Sequence, residues 1–357
     1  MLFPLDVNYF FILFVLSISF TFFVANYSKI FFLGLLNDKD FLKPQAFHQE
    51  PTPRSGGLAI FFSLLILFIL YYFFYETFLI DYFTITLFLF FLGFVDDLRF
   101  KINSKIRLVI MLIILLFSIE LFSIEINKSG LDFLNLWLEN RFFQTCFILL
   151  CFLFIINGSN FIDGFNGLLS IHFLIITSIL FAINFFNQNL NFSIILLSQI
   201  MIVIFFLCFN FPKAKFFLGD SGSYIIGSLI VLNTIKTYEL NDSLSPFFYA
   251  CLLFYLFFEV FFSFIRKSFQ KKSPLQPDNL HLHMLIFNLL KKNKKIKNPN
   301  SLTSILINLE YSFLMTPIIF FKINNFVCKN YFIFLILIYI LNYFYFLSKY
   351  KKNNENF

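Results

Sequence analysis

Charged residues are scarce in this sequence: Asp, Glu, Lys and Arg make up 13% of its 357 residues, whereas hydrophobic residues make up 59%. A soluble domain of this length could not bury so much apolar surface, which excludes a soluble protein. The long apolar stretches also lack a polar face and are hydrophobic all round. Stretches of this kind are typical of helices that cross a lipid bilayer.

Cysteine is equally sparse. The five Cys residues lie in or at the edge of apolar runs and form no CxxC pair. They therefore predict small apolar packing residues and exclude both a disulfide framework and a thiolate metal site. Residues 1–8 contain no Lys or Arg, and the first apolar run is long enough to span a membrane. We therefore expect no cleavable signal peptide.

The apolar runs predict an all-α integral membrane protein with about eleven transmembrane helices in one polytopic domain, residues 1–357. The predicted spans are 9–32, 56–74, 82–95, 106–122, 142–156, 168–186, 192–211, 221–238, 246–265, 302–321 and 331–348. Because the third and fifth spans are short, we expect those two helices to end inside the membrane interface.

Basic residues are divided unevenly between the two sets of loops: one set holds 22 Lys and Arg and the other holds five. Cytoplasmic loops carry the excess of basic residues, so the N-terminus is expected outside and the C-terminus in the cytoplasm. The cell (inner) membrane is the expected location. The cytoplasmic loop 266–299 contains nine of these residues. It is predicted to carry a helix over about 280–292, capped by Asp278 or Asn279, that lies in the interface.

Five polar segments interrupt the apolar sequence, and all fall on the predicted cytoplasmic side. They are HQEPTPRSGG (48–57), GFVDDLRFKINSKIR (93–107), NGSNFIDGFNGL (157–168), FFLGDSGSY (216–224) and SPLQPDNLHLHML (273–285). Their collection on one face predicts a single active site at the membrane surface. A transporter or flippase is the alternative from another class, although its polar residues would lie near the midplane and no internal repeat is evident.

Carboxylates and amides recur in these segments. Asp96 and Asp97 are adjacent and repel each other, which a divalent cation would relieve; the alternative is a solvated helix end. Asn157, Asn160 and Asp163 recur every three residues, so a helical turn would place them on one face, where they suit a metal-bound diphosphate or a sugar. The alternative for this second group is a helix break with Asn caps.

The remaining segments offer further candidates, each with a plainer alternative. Asp220 lies close to two glycines and is either a functional carboxylate or a helix cap. Phe216 or Phe217 could stack on a base or simply contact lipid or the core. Arg54 could bind phosphate or anchor a helix end. The HxH pair at 281–283 is a weak metal signal, and on a continuous helix its two side chains would diverge by about 200°.

Taken together, the segments resemble the polyprenyl-phosphate N-acetylhexosamine-1-phosphate transferase superfamily, over residues 44–285. The matching motifs are PRSGG (53–57), GFVDD (93–97) with SKIR (104–107), NGSNFIDGFNGL (157–168), GDSGS (219–223) and HLHM (281–284). The resemblance implies ten or eleven transmembrane helices. It also implies transfer of a sugar 1-phosphate from a UDP-sugar to polyprenyl phosphate, with release of UMP and with Mg²⁺, or alternatively Mn²⁺, as cofactor.

The resemblance also implies roles for individual residues. The acidic centre would comprise Asp96, Asp97, Asp163 and Asp220, with Asp220 and Asn157 as metal ligands. Phe217 would stack on the uracil, and Asn157 and Asn160 would position the diphosphate or sugar. The phosphate groups would be held by Arg54, Lys105 and Arg107. The catalytic His motif would consist of His281 and His283.

Two branches of the superfamily compete. The muramoyl-pentapeptide transferases usually read PTMGG and HHH, whereas PRSGG and PDNLHLHM resemble the enzymes that initiate O-antigen lipopolysaccharide, enterobacterial common antigen or teichoic acid linkage units. A UDP-HexNAc donor is therefore expected, with phospho-N-acetylmuramoyl-pentapeptide transfer as the alternative. Met284 replaces the last His of this branch's motif. The resemblance also implies a homodimer; no nucleic acid partner is expected.

The expected mechanism is a single in-line attack of the acceptor phosphate on the β-phosphorus of the donor. A phosphomonoester is mostly dianionic at pH 7, so it needs little help from a general base. In this scheme Asp96 or Asp97 would orient or deprotonate the acceptor. The alternative is a two-step route through a covalent phosphosugar–Asp intermediate.

Overall fold

The computed structural model describes residues 6–30, 34–38, 51–100, 102–273 and 278–355 as a bundle of helices with one short pair of strands. The helices are α1 (Val7–Tyr27), α2 (Gly56–Tyr75), α3 (Ile80–Asp97), α4 (Ser104–Leu121), α5 (Asp132–Leu138), α6 (Arg141–Ile162), α7 (Leu168–Phe186), α8 (Leu190–Asn210), α9 (Gly219–Leu240), α10 (Pro246–Leu252), α11 (Phe254–Phe269), α12 (Leu282–Lys292), α13 (Pro299–Phe320) and α14 (Asn325–Glu355). Strands β1 (Asn37–Asp38) and β2 (Thr52–Pro53) pair antiparallel.

A helix lies at each of the eleven predicted spans. Among the described helices, seven (α1, α2, α6, α7, α8, α13 and α14) are long and apolar enough to cross a membrane. Helices α10 and α11 would make an eighth span together, although they meet at an angle of 72°. The all-α membrane architecture is therefore confirmed, whereas the number of spans and the orientation stay predictions. Residues 31–32, 48–50, 101 and 274–277 of the predicted segments lie outside the described residues.

The predicted short lengths of two helices are wrong. Helices α3 and α6 have 18 and 22 residues, so neither is short. Helix α6 continues through the polar residues that were expected to follow its span, because the side-chain amide of Asn157 donates to the backbone oxygen of Leu153 at 2.7 Å. That hydrogen bond satisfies the amide within the helix itself. Helix α12 begins at Leu282 with His281 as its N-cap residue, so the prediction that Asp278 or Asn279 caps it is wrong.

Helix α9 is the central helix of the bundle, and nearly all of its residues from Gly219 to Thr237 are buried. It packs against α2, α3, α6 and α7. The crossing with α3 is close at Gly93, where an added Cβ would lie 2.5 Å from the Cα of Ser221. Glycine is therefore required for the carboxyl end of α3 to reach the amino end of α9, which brings two of the polar segments together.

Candidate active site

A cleft of about 670 Å³ opens at the end of the bundle where α6 ends and α9 begins. Five of the residues predicted for the site line this cleft: Arg54, Asn160, Asp163, Phe217 and Asp220. They come from three of the five polar segments and from distant parts of the chain. The structure therefore brings together a guanidinium, an amide, two carboxylates and an aromatic ring in one concave site.

Asp97 lies behind the cleft as the cap of α9. Its Oδ1 accepts from the backbone N of Asp220 at 2.9 Å, and its Oδ2 accepts from the backbone N and the Oγ of Ser221 at 3.0 and 2.6 Å. The side chain is buried, with 1% of the residue exposed. Gly219 permits this contact, because its φ of 77° is unfavourable for other residues and an added Cβ would lie 2.7 Å from both carboxylate oxygens of Asp97.

Asp220 lies in the first turn of α9 and has a partner on each carboxylate oxygen. Asn160 donates to its Oδ1 at 3.0 Å, and Arg107 donates to its Oδ2 at 2.8 Å. Arg107 also pairs with Asp96, while the amide of Asn160 also contacts the Oγ of Ser223 at 3.0 Å. The two adjacent acids of the GFVDD motif thus differ in environment: one caps a helix and the other shares a guanidinium with Asp220.

Arg54 enters the cleft from the end of the short strand pair. Its Nη2 and Nε donate to Oδ2 of Asp38 at 2.7 and 3.0 Å. Burial alone would lower the pKa of this guanidinium, but the carboxylates of Asp220, Asp38 and Asp97 raise it, so Arg54 stays charged. The chain after Arg54 also contacts the segment that precedes α9: the backbone N of Gly56 donates to the backbone oxygen of Phe217 at 2.8 Å.

Asp163 ends α6 as its C-cap residue and faces the same cleft. Burial raises the pKa of its carboxyl well above the usual range, and the negative charges of Asp220 and Asp97 add to that effect, while Arg54 opposes it. Within the described part of the chain, its carboxylate accepts no hydrogen bond and joins no ion pair. Asp163 is therefore the acid that would benefit most from an added cation.

The donor set limits how a metal could be held. Among the described residues, no group of three or more His, Cys, Asp or Glu side chains is arranged to enclose a metal ion. Mg²⁺, however, is often bound by one or two carboxylates, with substrate phosphates and water completing the octahedron. Asp163 and Asp220 line one cleft, and the charge of Asp220 raises the pKa of Asp163, so this pair fits that mode of binding.

The two phenylalanines before α9 have different surroundings. Phe216 is fully buried, with its ring centroid 5.4 Å from that of Phe206 and 6.3 Å from that of Phe209. Phe217 lines the cleft and is half-buried. Phe216 is therefore a core residue. Of the two rings, that of Phe217 is the one that a stacking base could reach from the cleft.

Two other predicted residues lie away from the cleft lining. Asn157 is half-buried one turn before Asn160, and its amide donates to its own helix. Lys105 is exposed in the first turn of α4, where its backbone N is capped by Oδ1 of Asn103 at 3.0 Å. The metal-binding role of Asn157 and the phosphate-binding role of Lys105 stay predictions.

The two histidines lie against the turn that carries Asp163. Their rings are parallel, 5.4 Å apart at an interplanar angle of 6°, and His281 contacts Phe161 while His283 contacts Phe165. The expectation that they diverge is wrong, because His281 has an extended backbone before the helix begins. Burial lowers the pKa of His283 to about 4. Neither ring lines the cleft, so their catalytic role stays a prediction.

Sequence reasoning missed six further residues of the cleft lining. They are three lysines and three amides: Lys213, Lys291, Lys297, Asn166, Asn298 and Asn300. The sequence assigned the lysines of the 266–299 loop to the membrane surface and to the topology of the chain. Their position next to the HLHM motif was the available signal, because cations beside a phosphate-binding centre are expected to serve it.

Comparison with known proteins finds similarity to one family of transferases. The family model described as Glycosyl transferase family 4 matches residues 79–238. The chain is 28% identical over 238 residues to the undecaprenyl-phosphate alpha-N-acetylglucosaminyl 1-phosphate transferase of Thermotoga maritima, covering 66% of this chain and 68% of that protein. It is 28% identical over 149 residues to the decaprenyl-phosphate N-acetylglucosaminephosphotransferase of Mycolicibacterium smegmatis, covering 36% of this chain and 37% of that protein.

A protein with the same name from Mycobacterium tuberculosis is 25% identical over 162 residues, which is 40% of each chain. The matches to the mycobacterial proteins therefore cover about two fifths of their length. The family region contains α3, α4, α6 and most of α9, which together carry Asp96, Asp97, Asp163 and Asp220. The superfamily predicted from the motifs is confirmed by these matches.

Proposed function

We propose that this protein transfers a HexNAc-1-phosphate from a UDP-sugar to polyprenyl phosphate, undecaprenyl phosphate in the first instance. The reaction releases UMP and forms the first lipid-linked sugar of a cell-envelope glycan. The observation that carries the proposal is the shared cleft, in which Asp163 and Asp220 lie with Arg54, Phe217 and a group of lysines. The names of the relatives support the acceptor and the reaction.

The donor is assigned to the cleft. Its uracil is assigned to the half-buried ring of Phe217, since bases stack on aromatic side chains. Arg54 is held by Asp38, and the lysines at 213, 291 and 297 also line the cleft. Together these cations would offset the charge of the donor diphosphate and stabilise the UMP that leaves when the bond to the β-phosphorus breaks.

Mg²⁺, with Mn²⁺ as the alternative ion, would be held by Asp220 and Asp163 together with donor phosphate oxygens. When bound, it would neutralise the diphosphate and stabilise negative charge on the leaving UMP. The protein's own part is to fix Asp220, which Arg107 and Asn160 do through one hydrogen bond to each oxygen. Asp97 fixes the helix start on which Asp220 lies.

The acceptor phosphate enters from the membrane side and attacks the β-phosphorus in line. Because this phosphate is mostly dianionic at pH 7, orientation and charge neutralisation limit the rate more than proton removal does. Asp97 is saturated by α9, so Asp96 is the better candidate to orient the acceptor. Net inversion at phosphorus would support this single displacement, and net retention would support the covalent route.

The sugar and the setting complete the proposal. N-acetylglucosamine is the first donor to test, because the relatives are named for it. O-antigen, common antigen and teichoic acid linkage units are the candidate products, in an enzyme of the inner membrane whose cleft faces the cytoplasm. A homodimer, implied by the superfamily, belongs to the same proposal.

Release of UMP by the purified protein tests the function. The assay supplies undecaprenyl phosphate, Mg²⁺ and a panel of UDP-sugars, with Asp220→Asn and Asp163→Asn as site variants. Asp242→Asn is the matched control, since Asp242 is exposed and outside the cleft lining. Lipid-dependent UMP from one donor should fall about 100- to 1,000-fold in the site variants and stay unchanged in the control. Absence of UMP with every donor would overturn the proposal.

Metal binding has its own readout. Electron paramagnetic resonance of Mn²⁺ in the presence of the UDP-sugar should show an immobilised ion in the wild-type protein. Asp220→Asn should release that ion to solution, while Asp242→Asn should retain it. An equally immobilised ion in Asp220→Asn would contradict the assignment of Asp220 as a ligand.

A further inference from the structure

A buried carboxylate outside all five motif segments joins three helices next to the His motif. Glu259 lies on α11 with 1% of the residue exposed. Its Oε1 faces Nδ1 of His281 at 2.8 Å and accepts from the backbone N of Leu282 at 3.3 Å. Its Oε2 accepts from the hydroxyl of Tyr339, on α14, at 2.8 Å.

Glu259 lies in an otherwise apolar stretch, FFEVFF, and these contacts give each oxygen of its ionised carboxylate a hydrogen-bond partner. An unpaired carboxylate there would be expensive, so the three donors make the ionised form tolerable. The arrangement also constrains the histidine. A carboxylate next to one imidazole nitrogen holds a proton on that nitrogen and fixes the plane of the ring.

The ring that Glu259 fixes packs against the last turn of α6. His281 contacts Phe161 with ring centroids 5.2 Å apart, and Asp163 follows two residues later. On the other side, Nε2 of His281 lies 3.5 Å from Oδ1 of Asp278. The two nitrogens of His281 therefore face different carboxylates, and the nearer one is that of Glu259.

We propose that Glu259 is a positioning residue, which holds His281 with a proton on Nδ1 and fixes the plane of its ring against the last turn of α6, next to Asp163. The inference rests on the proposed function only for its kinetic consequence. Its structural part, the protonation of Nδ1, concerns the protein without substrate and is tested separately.

The first test is solid-state ¹⁵N NMR of protein labelled at histidine, in lipid. The chain has only four His residues, so His281→Asn assigns the signal of interest. In the wild-type protein at neutral pH, Nδ1 of His281 should be protonated, and in Glu259→Gln a population with unprotonated Nδ1 should appear. An unprotonated Nδ1 in the wild-type protein would overturn the proposal, whatever the variants do.

The second test is kinetic. Loss of an outer carboxylate partner of a functional histidine typically costs about 10- to 100-fold in activity, and we expect Glu259→Gln to lower kcat by that factor with an unchanged donor KM. His281→Asn should lower kcat at least as much, and the double variant should be no worse than His281→Asn alone. Additive losses would mean that Glu259 does not act through His281.

Tyr339→Phe is the matched control, because it removes another hydrogen bond from Glu259 and leaves the contact with His281. A positioning role predicts nearly wild-type kcat in this variant, whereas a role limited to tying α11 to α14 predicts losses like those of Glu259→Gln. If the wild-type protein releases no UMP, the proposed function fails, while the NMR result still decides the relation between Glu259 and His281.

Discussion

Two adjacent aspartates illustrate how much a single residue depends on its surroundings. Asp96 shares Arg107 with Asp220 at the edge of the cleft, while Asp97 points the other way and accepts three hydrogen bonds from the first turn of α9. A carboxylate at a helix N-terminus also interacts favourably with the helix dipole. Asp96 therefore belongs to the site itself, whereas Asp97 supports the site by fixing the start of α9.

Removing the cap should loosen α9. Asp97→Ala is expected to lower the free energy of unfolding by about 1–2 kcal/mol, the usual cost of losing an N-cap, and to reduce activity because Asp220 lies in the released turn. Reversible unfolding in mixed detergent micelles measures the first effect. Ser221→Ala, which removes only the hydroxyl contact at 2.6 Å, is the matched variant and should show a smaller loss. Equal stability of Asp97→Ala and the wild-type protein would contradict the capping role.

His283 gives the fold a dependence on pH. It is fully buried, and burial lowers its pKa to about 4, whereas an unfolded chain takes up this proton near pH 6.5. Since the unfolded state binds the proton first, stability is complete above about pH 6.5 and declines as the pH falls. The loss should approach about 3 kcal/mol near pH 4.

Thermal unfolding between pH 7.5 and pH 5 measures this loss. His283→Asn should flatten the decline over that range, and the slopes rather than the absolute Tm values are compared, because the variant also changes packing against Phe165. An unchanged slope in His283→Asn would assign the acid sensitivity to other groups.

At the scale of elements, hydropathy alone predicted a helix at every span, because membrane helices depend on local composition. The convergence of Asp163 and Asp220 was also predictable, since charge in the loops assigned both segments to one face. The contact between Asp97 and α9 was not, because it joins residues more than 120 positions apart. Glu259 could have been noticed, as a carboxylate inside an apolar run usually has a function.

The crossing of α3 and α9 depends on Gly93. Gly93→Ala would place its Cβ 2.5 Å from the backbone of Ser221, and overpacking of this kind typically costs about 1–3 kcal/mol. We expect a lower unfolding free energy and a loss of activity as the two helices separate. Gly164→Ala is the control for stability, because nothing lies within 4 Å of its added Cβ. If both variants were equally stable, the close approach at Gly93 would not be required.

At the scale of the whole molecule, the basic residues have two separate effects. Those that line the cleft would meet the donor in the proposed reaction, and those elsewhere in the loops are predicted to set the orientation of the chain. The sequence signal is the same for both, so only the fold distinguishes Lys297, which lines the cleft, from Lys294, which does not.

The lysines of the cleft should control donor affinity. Lys291→Gln and Lys297→Gln are each expected to raise the donor KM roughly fivefold, because an exposed ionic contact contributes up to about 1 kcal/mol. Lys294→Gln, in the same loop, should leave the donor KM unchanged. Raising the salt concentration should reduce the difference, since exposed charges are screened. The same KM increase in Lys294→Gln would indicate a general field instead of contacts in the cleft.

The proposed chemistry depends on the orientation of the chain in the membrane, because the UDP-sugar is a cytoplasmic substrate in the proposed reaction. With 22 basic residues in one set of loops and five in the other, the C-terminus should lie in the cytoplasm. Green fluorescent protein fused after the last residue should therefore fluoresce in bacterial cells. Alkaline phosphatase inserted into the loop between α4 and α5 should be active. An inactive phosphatase together with a dark C-terminal fusion would invert the topology, and the cleft would then face away from its donor.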